Sequence, residues 1–309
     1  MPRKIDLVKG RFVKGEQLGF KGELSYVAND LQQCGEKVIL LGESGPPSSG
    51  VSVQRGASPF FVSLDTQLNR VPHDPALEKI LEHLASNHRR ANSFDTYPTG
   101  GFLVLEHKPP KDGCAESYYV HFDSTGNVVN ETKSPTTGIG YRVRIAQDGR
   151  IFGMHAFGET LELDSGFNTV AYHPHQQGGK RPWFLAMDAE RNVTRIPSVL
   201  GDSGPSFLIK DSHVRLLWWG AFVDGEGFFH NPTKSNPLRT RGVSEIHLPY
   251  PIYSPDGTFV RGRRDLDFDH AHAFCFPSDD SLIVAGQQPA PSWDHFSIGK
   301  YALVRDGKS

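Results

Sequence analysis

The chain has 309 residues, 37% hydrophobic and 22% charged, and its 33 basic and 35 acidic residues give a formal net charge of −2. That near-balance excludes the basic excess expected of a protein that neutralises nucleic-acid phosphates. No stretch approaches the roughly eighteen apolar residues of a spanning helix, and the opening MPRKIDLVKGRFVKGEQ lacks the apolar core of a signal peptide. The expectation is therefore a cytosolic protein, or one released without a signal peptide, with neither nucleic acid nor membrane as partner. Glycine (32) and proline (22) are abundant and methionine (3) is scarce, as in chains of many short strands joined by turns. Cys34, Cys114 and Cys275 are odd in number and far apart, so no disulfide framework or zinc site is expected, and no cofactor is implied.

Residues 1–58 read as a mixed α/β region. A short helix is expected over residues 23–33 (ELSYVANDLQQ), closed by Gly35, and a strand over 37–43 (KVILLGE) before a loop at 44–56. From residue 59 onward the pattern is that of a larger β domain, 59–309, opened by a strand-turn-strand unit at 59–71 (PFFVSLDTQLNRV). A helical insertion near 74–90 interrupts it, started by Asp74-Pro75 and carrying Leu77, Ile80, Leu81 and Leu84 on one face.

Beyond residue 93 the same unit recurs: a few residues alternating apolar and polar, a turn, and a second apolar run. It is clearest at 141–155 (YRVRIAQDGRIFGMH), where Asp148-Gly149 suits a tight two-residue hairpin. The units repeat at spacings of roughly 22–45 residues, the range of periods that marks blades or arrays. One hairpin alone leaves an apolar face uncovered, and radial stacking buries it while leaving only short edges. The expected fold is a mainly β protein, a β-propeller of repeated hairpin blades; a β-sandwich or a two-barrel fold is the alternative.

Two histidines draw attention first. His88 precedes one strand of a hairpin and His107 ends the other, so the open ends place both imidazoles side by side. Such a pair can neutralise a substrate carboxylate or move a proton. The segment NHRRANSFDTYPTGGFLVLEHK resembles the active-site hairpin of sialidase-like (BNR-type) propellers, including ulvan-lyase-like polysaccharide lyases. The resemblance implies His88 and His107 as catalytic residues and Tyr141 as a proton-transfer group. It further implies Arg142, Arg144 and His155 as substrate-binding residues, with an arginine holding a uronate carboxylate. The chain departs from that family in having no S-x-D-x-G-x-x-W box, and in carrying His155 where the family tends to place arginine.

A second motif, Gly201-Asp202-Ser203-Gly204, resembles the nucleophile loop of chymotrypsin-like serine proteases and implies Ser203 as nucleophile, with His107 and Asp148 as the best-spaced partners. Pro205 and the lack of a TAAH-like motif depart from that pattern. The same segment is similar to a blade of arabinanase-like hydrolases, which would make Asp74, Asp202 and Glu245 a three-carboxylate set. Residues 222–229 (FVDGEGFF) look like the core of a homing-endonuclease helix, against the charge balance. His121, Asp123, His175 and Arg181 follow the order of a 2-oxoglutarate oxygenase triad, although His-x-Asp arises readily by chance. Trp183, Trp218, Trp219, Trp293, Tyr118 and Tyr119 offer rings that stack on sugars or fill a core.

The reading is a carbohydrate-active enzyme, a lyase or glycoside hydrolase, acting without metal or cofactor on an acidic polysaccharide. A serine endopeptidase using Ser203 and a non-catalytic propeller that binds a ligand are the alternatives.

Overall fold

A computed structural model describes residues 11–19, 25–46, 57–108, 115–136, 139–155 and 160–173, and beyond these a series of separate strands with residue 191. In chain order the strands are β1 (Arg11–Gly19), β2 (Ser25–Cys34), β3 (Lys37–Gly45) and β4 (Ser58–Asp65). Helix α1 (Pro75–Ser86) follows, then β5 (Arg90–Thr96), β6 (Phe102–Lys108), β7 (Glu116–Phe122) and β8 (Val128–Lys133). Next come β9 (Gly140–Ile145), β10 (Ile151–His155), β11 (Thr160–Leu163), β12 (Thr169–His173), β13 (Trp183–Met187), β14 (Val193–Pro197) and β15 (Phe207–Leu208). The last are β16 (Phe222–Val223), β17 (Phe229–His230), β18 (Tyr250–Tyr253), β19 (Phe259–Arg263), β20 (His270–Ser278), β21 (Ser281–Gln287) and β22 (Phe296–Val304).

These strands form small sheets of three or four, each made of consecutive strands, except that β1 pairs with β22 and so joins the first strand to the last sheet. Small sheets of sequential strands in series, with the first strand completing the final one, are the topology of a β-propeller. No six-stranded barrel occurs among the described strands, so the two-barrel alternative has no counterpart there. The chain divides into two compact units, residues 28–180 and residues 1–27 with 181–309.

The helix expected over residues 23–33 is strand β2. Its apolar residues fit a helical spacing locally, but β2 pairs with β3 and buries Ala28 and Leu31, and this tertiary pairing overrides local pattern. The second helix forms as its sequence demands. Asp74 caps it by accepting from the Ala76 N–H at 3.0 Å, with Pro75 in the first turn. That capping duty takes Asp74 out of the three-carboxylate set; Asp202 and Glu245 lie outside the described residues.

In the unit of residues 28–180, alternation along the strands divides the core into two layers. Phe102 and Val104 of β6 join Phe94, Val120 and Phe122 in packing on Ile39, Leu41 and Phe61, and the Leu77, Ile80 and Leu84 face of α1 fills the same layer. The intervening Leu103 and Leu105 join Tyr119 in packing on Val143, Ile145, Ile151 and Leu161. On its polar side α1 is tied down by charge. His83 Nε2 stands 3.5 Å from the buried Glu106, and Arg89 spans Glu106 and Glu131 at 3.2 and 2.9 Å while lying over the Tyr118 ring.

Turns repeat as well. Asp65, Asp123 and Asp164 each accept backbone N–H bonds from the second and fourth residues that follow, the fourth being Asn69, Asn127 and Asn168. The residue before each asparagine has positive φ: Leu68 at 65°, Gly126 at 82° and Phe167 at 68°. The sequence repeats this D-x-x-x-N at 188–192, where Arg191 has φ 65°. At 146–150 the expected two-residue hairpin is instead a three-residue loop. Ala146 N–H donates to the Arg150 carbonyl, and Gly149 takes φ 81°.

Side chains also stitch the first strands of successive sheets together. Asn29 of β2 donates to the Ala91 carbonyl of β5 at 2.9 Å, and Asn92 of β5 donates to the Gly140 carbonyl of β9 at 2.6 Å. One residue on, Asp30 accepts from Phe94 N–H at 3.3 Å, and Ser93 accepts from Val143 N–H at 3.2 Å. Arg144 of β9 reaches both Asp30 oxygens, at 3.0 and 3.2 Å, with every partner buried. Burial alone would raise the Asp30 pKa. The charges of Arg144 and Arg142, with hydrogen bonds from Arg144 and Ser93, pull it far below the usual carboxylate range instead.

A depressed carboxylate contributes stability above its unfolded pKa and loses it as pH falls through the folded one. The Asp30→Asn variant is therefore expected to lose about 3–5 kcal/mol at neutral pH, because it strands a buried guanidinium. Urea unfolding at neutral pH and near pH ~3 measures both the loss and its narrowing in acid.

Candidate functional site

The topology brings several of the singled-out residues to one end of the sheets in residues 28–180. Arg90, at the start of β5, pairs in register with His107 at the end of β6, and His107 pairs with Ser117 near the start of β7. Gly140 at the start of β9 pairs with His155 at the end of β10, and the Asn92 bond to Gly140 holds β5 beside β9. Tyr141 and Arg142 therefore stand at the same blade ends as His107. Glu43, near the end of β3, reaches this group from the neighbouring sheet, with Oε2 3.5 Å from Arg90.

His107 is 9% exposed and its Nδ1 has no hydrogen-bond partner among the described residues. Burial first, and then the Arg90 charge, lower its pKa to about 4, so the ring is neutral at physiological pH. Glu43 behaves oppositely. Burial raises its pKa, and Arg90 and an Asn29 hydrogen bond only partly offset this.

The other residues are held differently. His88 is exposed and ends α1 with φ 54°. Its N–H donates to the Ala85 carbonyl, and the Arg89 N–H donates to that of Leu84, the paired bonds of a helix closed by a left-handed residue. Arg144 is spent on the Asp30 network. Arg142 is half-buried and donates to the Asn92 and Tyr141 carbonyls at 3.1 and 3.2 Å; burial lowers its pKa, the Asp30 charge opposes this and Arg144 adds to it.

His155 is fully buried, its Nε2 2.6 Å from the Tyr119 hydroxyl and 3.3 Å from Ser134 Oγ. Burial pushes the Tyr119 pKa up, which keeps the phenol protonated. Gly153 makes the arrangement possible, since a Cβ there would stand 1.6 Å from the Tyr119 oxygen. Tyr119 is thus a core ring, and Tyr118 lies under Arg89.

His121 stacks on Tyr97 at 4.1 Å, and Asp123 organises its turn, so neither residue is arranged as a metal ligand. Among the described residues no group of three or more His, Cys, Asp or Glu side chains is placed to hold a metal ion. Ser203 with its GDSG motif, the tryptophans other than Trp183, the 224–228 segment, His175 and Arg181 lie outside the described residues. Trp183 opens strand β13. Sequence reasoning missed Arg90 and Glu43. The repeated Ala-Asn-Asp at 28–30 and Ala-Asn-Ser at 91–93 was the available signal for the stitched strands.

No family model and no curated protein matches the chain. Among solved structures, a catalytically inactive virginiamycin B lyase from Staphylococcus aureus with quinupristin is similar at 7% identity, covering 94% of this chain and 99% of its own, with TM-score 0.46. A GH43_1 enzyme from Xanthomonas citri complexed with xylotriose is similar at 10% identity, covering 94% and 91%, with TM-score 0.46. The WD40 propeller domain of Doa1 gives 8% identity, 96% and 98% coverage and TM-score 0.42. Such likenesses carry no activity across.

Two outcomes check these environments. His88→Gly should raise stability by about 0.5–1 kcal/mol in urea melts, because glycine takes a positive φ without steric cost. His107 has a folded pKa below its unfolded one, so its neutral burial is fully favourable above pH 6.5 and is lost progressively towards pH about 4. His107→Gln should flatten the fall in melting temperature across that window.

Proposed function

We propose that this protein acts on an acidic polysaccharide at the blade ends of residues 28–180, by β-elimination at a uronate. The observation that carries this reading is His107: a buried, neutral imidazole whose Nδ1 has no partner among the described residues, at the same blade ends as Tyr141 and Arg142. β-Elimination needs a base for the C–H beside the carboxylate, positive charge to stabilise the carbanion-like state, and a proton for the leaving oxygen. A neutral histidine serves the first need, and the arginines at these strand starts serve the second. Resemblance of residues 87–108 to the lyase hairpin agrees with this allocation.

A second reading, a propeller that binds an acidic glycan without cleaving it, draws support from Arg144 and His155. Both are engaged by neighbouring side chains inside the core, as struts would be.

Incubation with polygalacturonate separates the two. A lyase generates an unsaturated product that absorbs in the ultraviolet, whereas a binding module retains the polymer and yields no absorbance. His107→Ala should lower kcat by about 10²- to 10⁴-fold, the usual contribution of a positioned general base. Wild-type protein that neither binds nor cleaves uronate polymers overturns the proposal.

A further inference from the structure

We infer that Glu43 is the proton donor of this site and Arg90 its carboxylate-binding cation, with His107 as the matching base. The inference rests on the uronate reading: it names Arg90 among the strand-start arginines as the carboxylate-binding one and supplies the proton donor that reading leaves unfilled.

Arg90 sits next to both other groups. Its Nη1 is 3.5 Å from Glu43 Oε2, a single loose contact, and its backbone pairs with that of His107. Side-chain exposure of 20% for Arg90 and 10% for Glu43 leaves both reachable from the blade ends without full solvation. The buried His107 Nδ1, which no group among the described residues satisfies, is a further sign that a ligand atom belongs here. Burial favours the protonated form of Glu43, as a donor requires, and the neutral form of His107, as an acceptor requires. A substrate carboxylate against Arg90 would screen the charge that helps keep His107 unprotonated. Basicity then rises as the uronate binds.

The step balances without a co-reactant. His107 takes the proton α to the carboxylate, and the C–H electrons form the new C=C bond. The bond to the glycosidic oxygen breaks, and that oxygen takes the proton from the Glu43 carboxylic acid. Solvent then returns a proton to Glu43 and removes one from His107, so nothing is oxidised or reduced.

The test compares the full-length wild type with Glu43→Gln on polygalacturonate and on a uronide whose leaving group is an activated nitrophenol. A nitrophenolate departs without protonation. Glu43→Gln is therefore expected to lose about 10²- to 10⁴-fold in kcat on the polymer, with KM within about threefold, and to regain most of that activity on the nitrophenyl substrate. Glu43→Asp, which keeps an acid in place, should fall between and serves if the glutamine variant folds poorly; full wild-type kcat in a folded Glu43→Asp, together with full kcat in Glu43→Gln, removes Glu43 from the chemistry. An equal deficit on both substrates overturns the assignment and marks Glu43 as a structural partner of Arg90. Elimination by wild type with an unaffected Glu43→Gln sinks this inference alone, whereas a wild type inactive on both substrates sinks the uronate reading with it.

Discussion

The bidentate contact between Asp30 and Arg144 is the constraint on which the geometry of residues 28–180 depends. Strands within a sheet are held by their own ladders, but nothing in a ladder fixes one sheet against the next. Apolar packing supplies the attraction between sheets and is non-directional. The Asp30, Ser93 and Arg144 group is directional. It ties β2, β5 and β9 at one level, and Asn29 and Asn92 repeat the tie one residue earlier. Buried charges of this kind are costly unless fully paired, so the network tolerates little sliding between blades.

That registration explains why residues distant in sequence converge at one end. A slide of one residue between β5 and β9 would part Asn92 from the Gly140 carbonyl and Ser93 from the Val143 N–H. With register locked, Arg90, His107 and Tyr141 arrive together, and Glu43 is delivered from the adjoining sheet. The same locking draws a boundary between structural and chemical duty. Arg144 lies deeper along β9 and is absorbed into the core, and His155, although it ends β10, is buried against Tyr119 and Ser134. Arg90 and Glu43, near the ends of their strands, keep partial exposure.

Much of this was legible in the sequence. Period-two alternation located the strands, and recurrence of the hairpin unit gave the propeller. Asp74-Pro75 announced the start of α1 because a capping carboxylate and a proline at the first turn are local signals. Residues 23–33 misled because Leu24, Val27, Ala28 and Leu31 fit a helical spacing while Asp30 and the β3 pairing decide the outcome from far away in the chain. The five-residue Asp…Asn turns were present as a repeat but hid behind the more familiar Asp-Gly signal. Arg90 and Glu43 could not have been found by spacing, since forty-seven positions separate them and only the approach of two sheets makes them neighbours.

The pairing of β1 with β22 has a kinetic consequence. Arg11 lies opposite Val304, so a ladder must form between segments separated by nearly the whole chain. Loop-closure entropy of that size is met before any of the pairing energy is recovered. During synthesis, β1 waits until the ribosome has delivered β22, and until then it is an unsatisfied edge exposed to other chains.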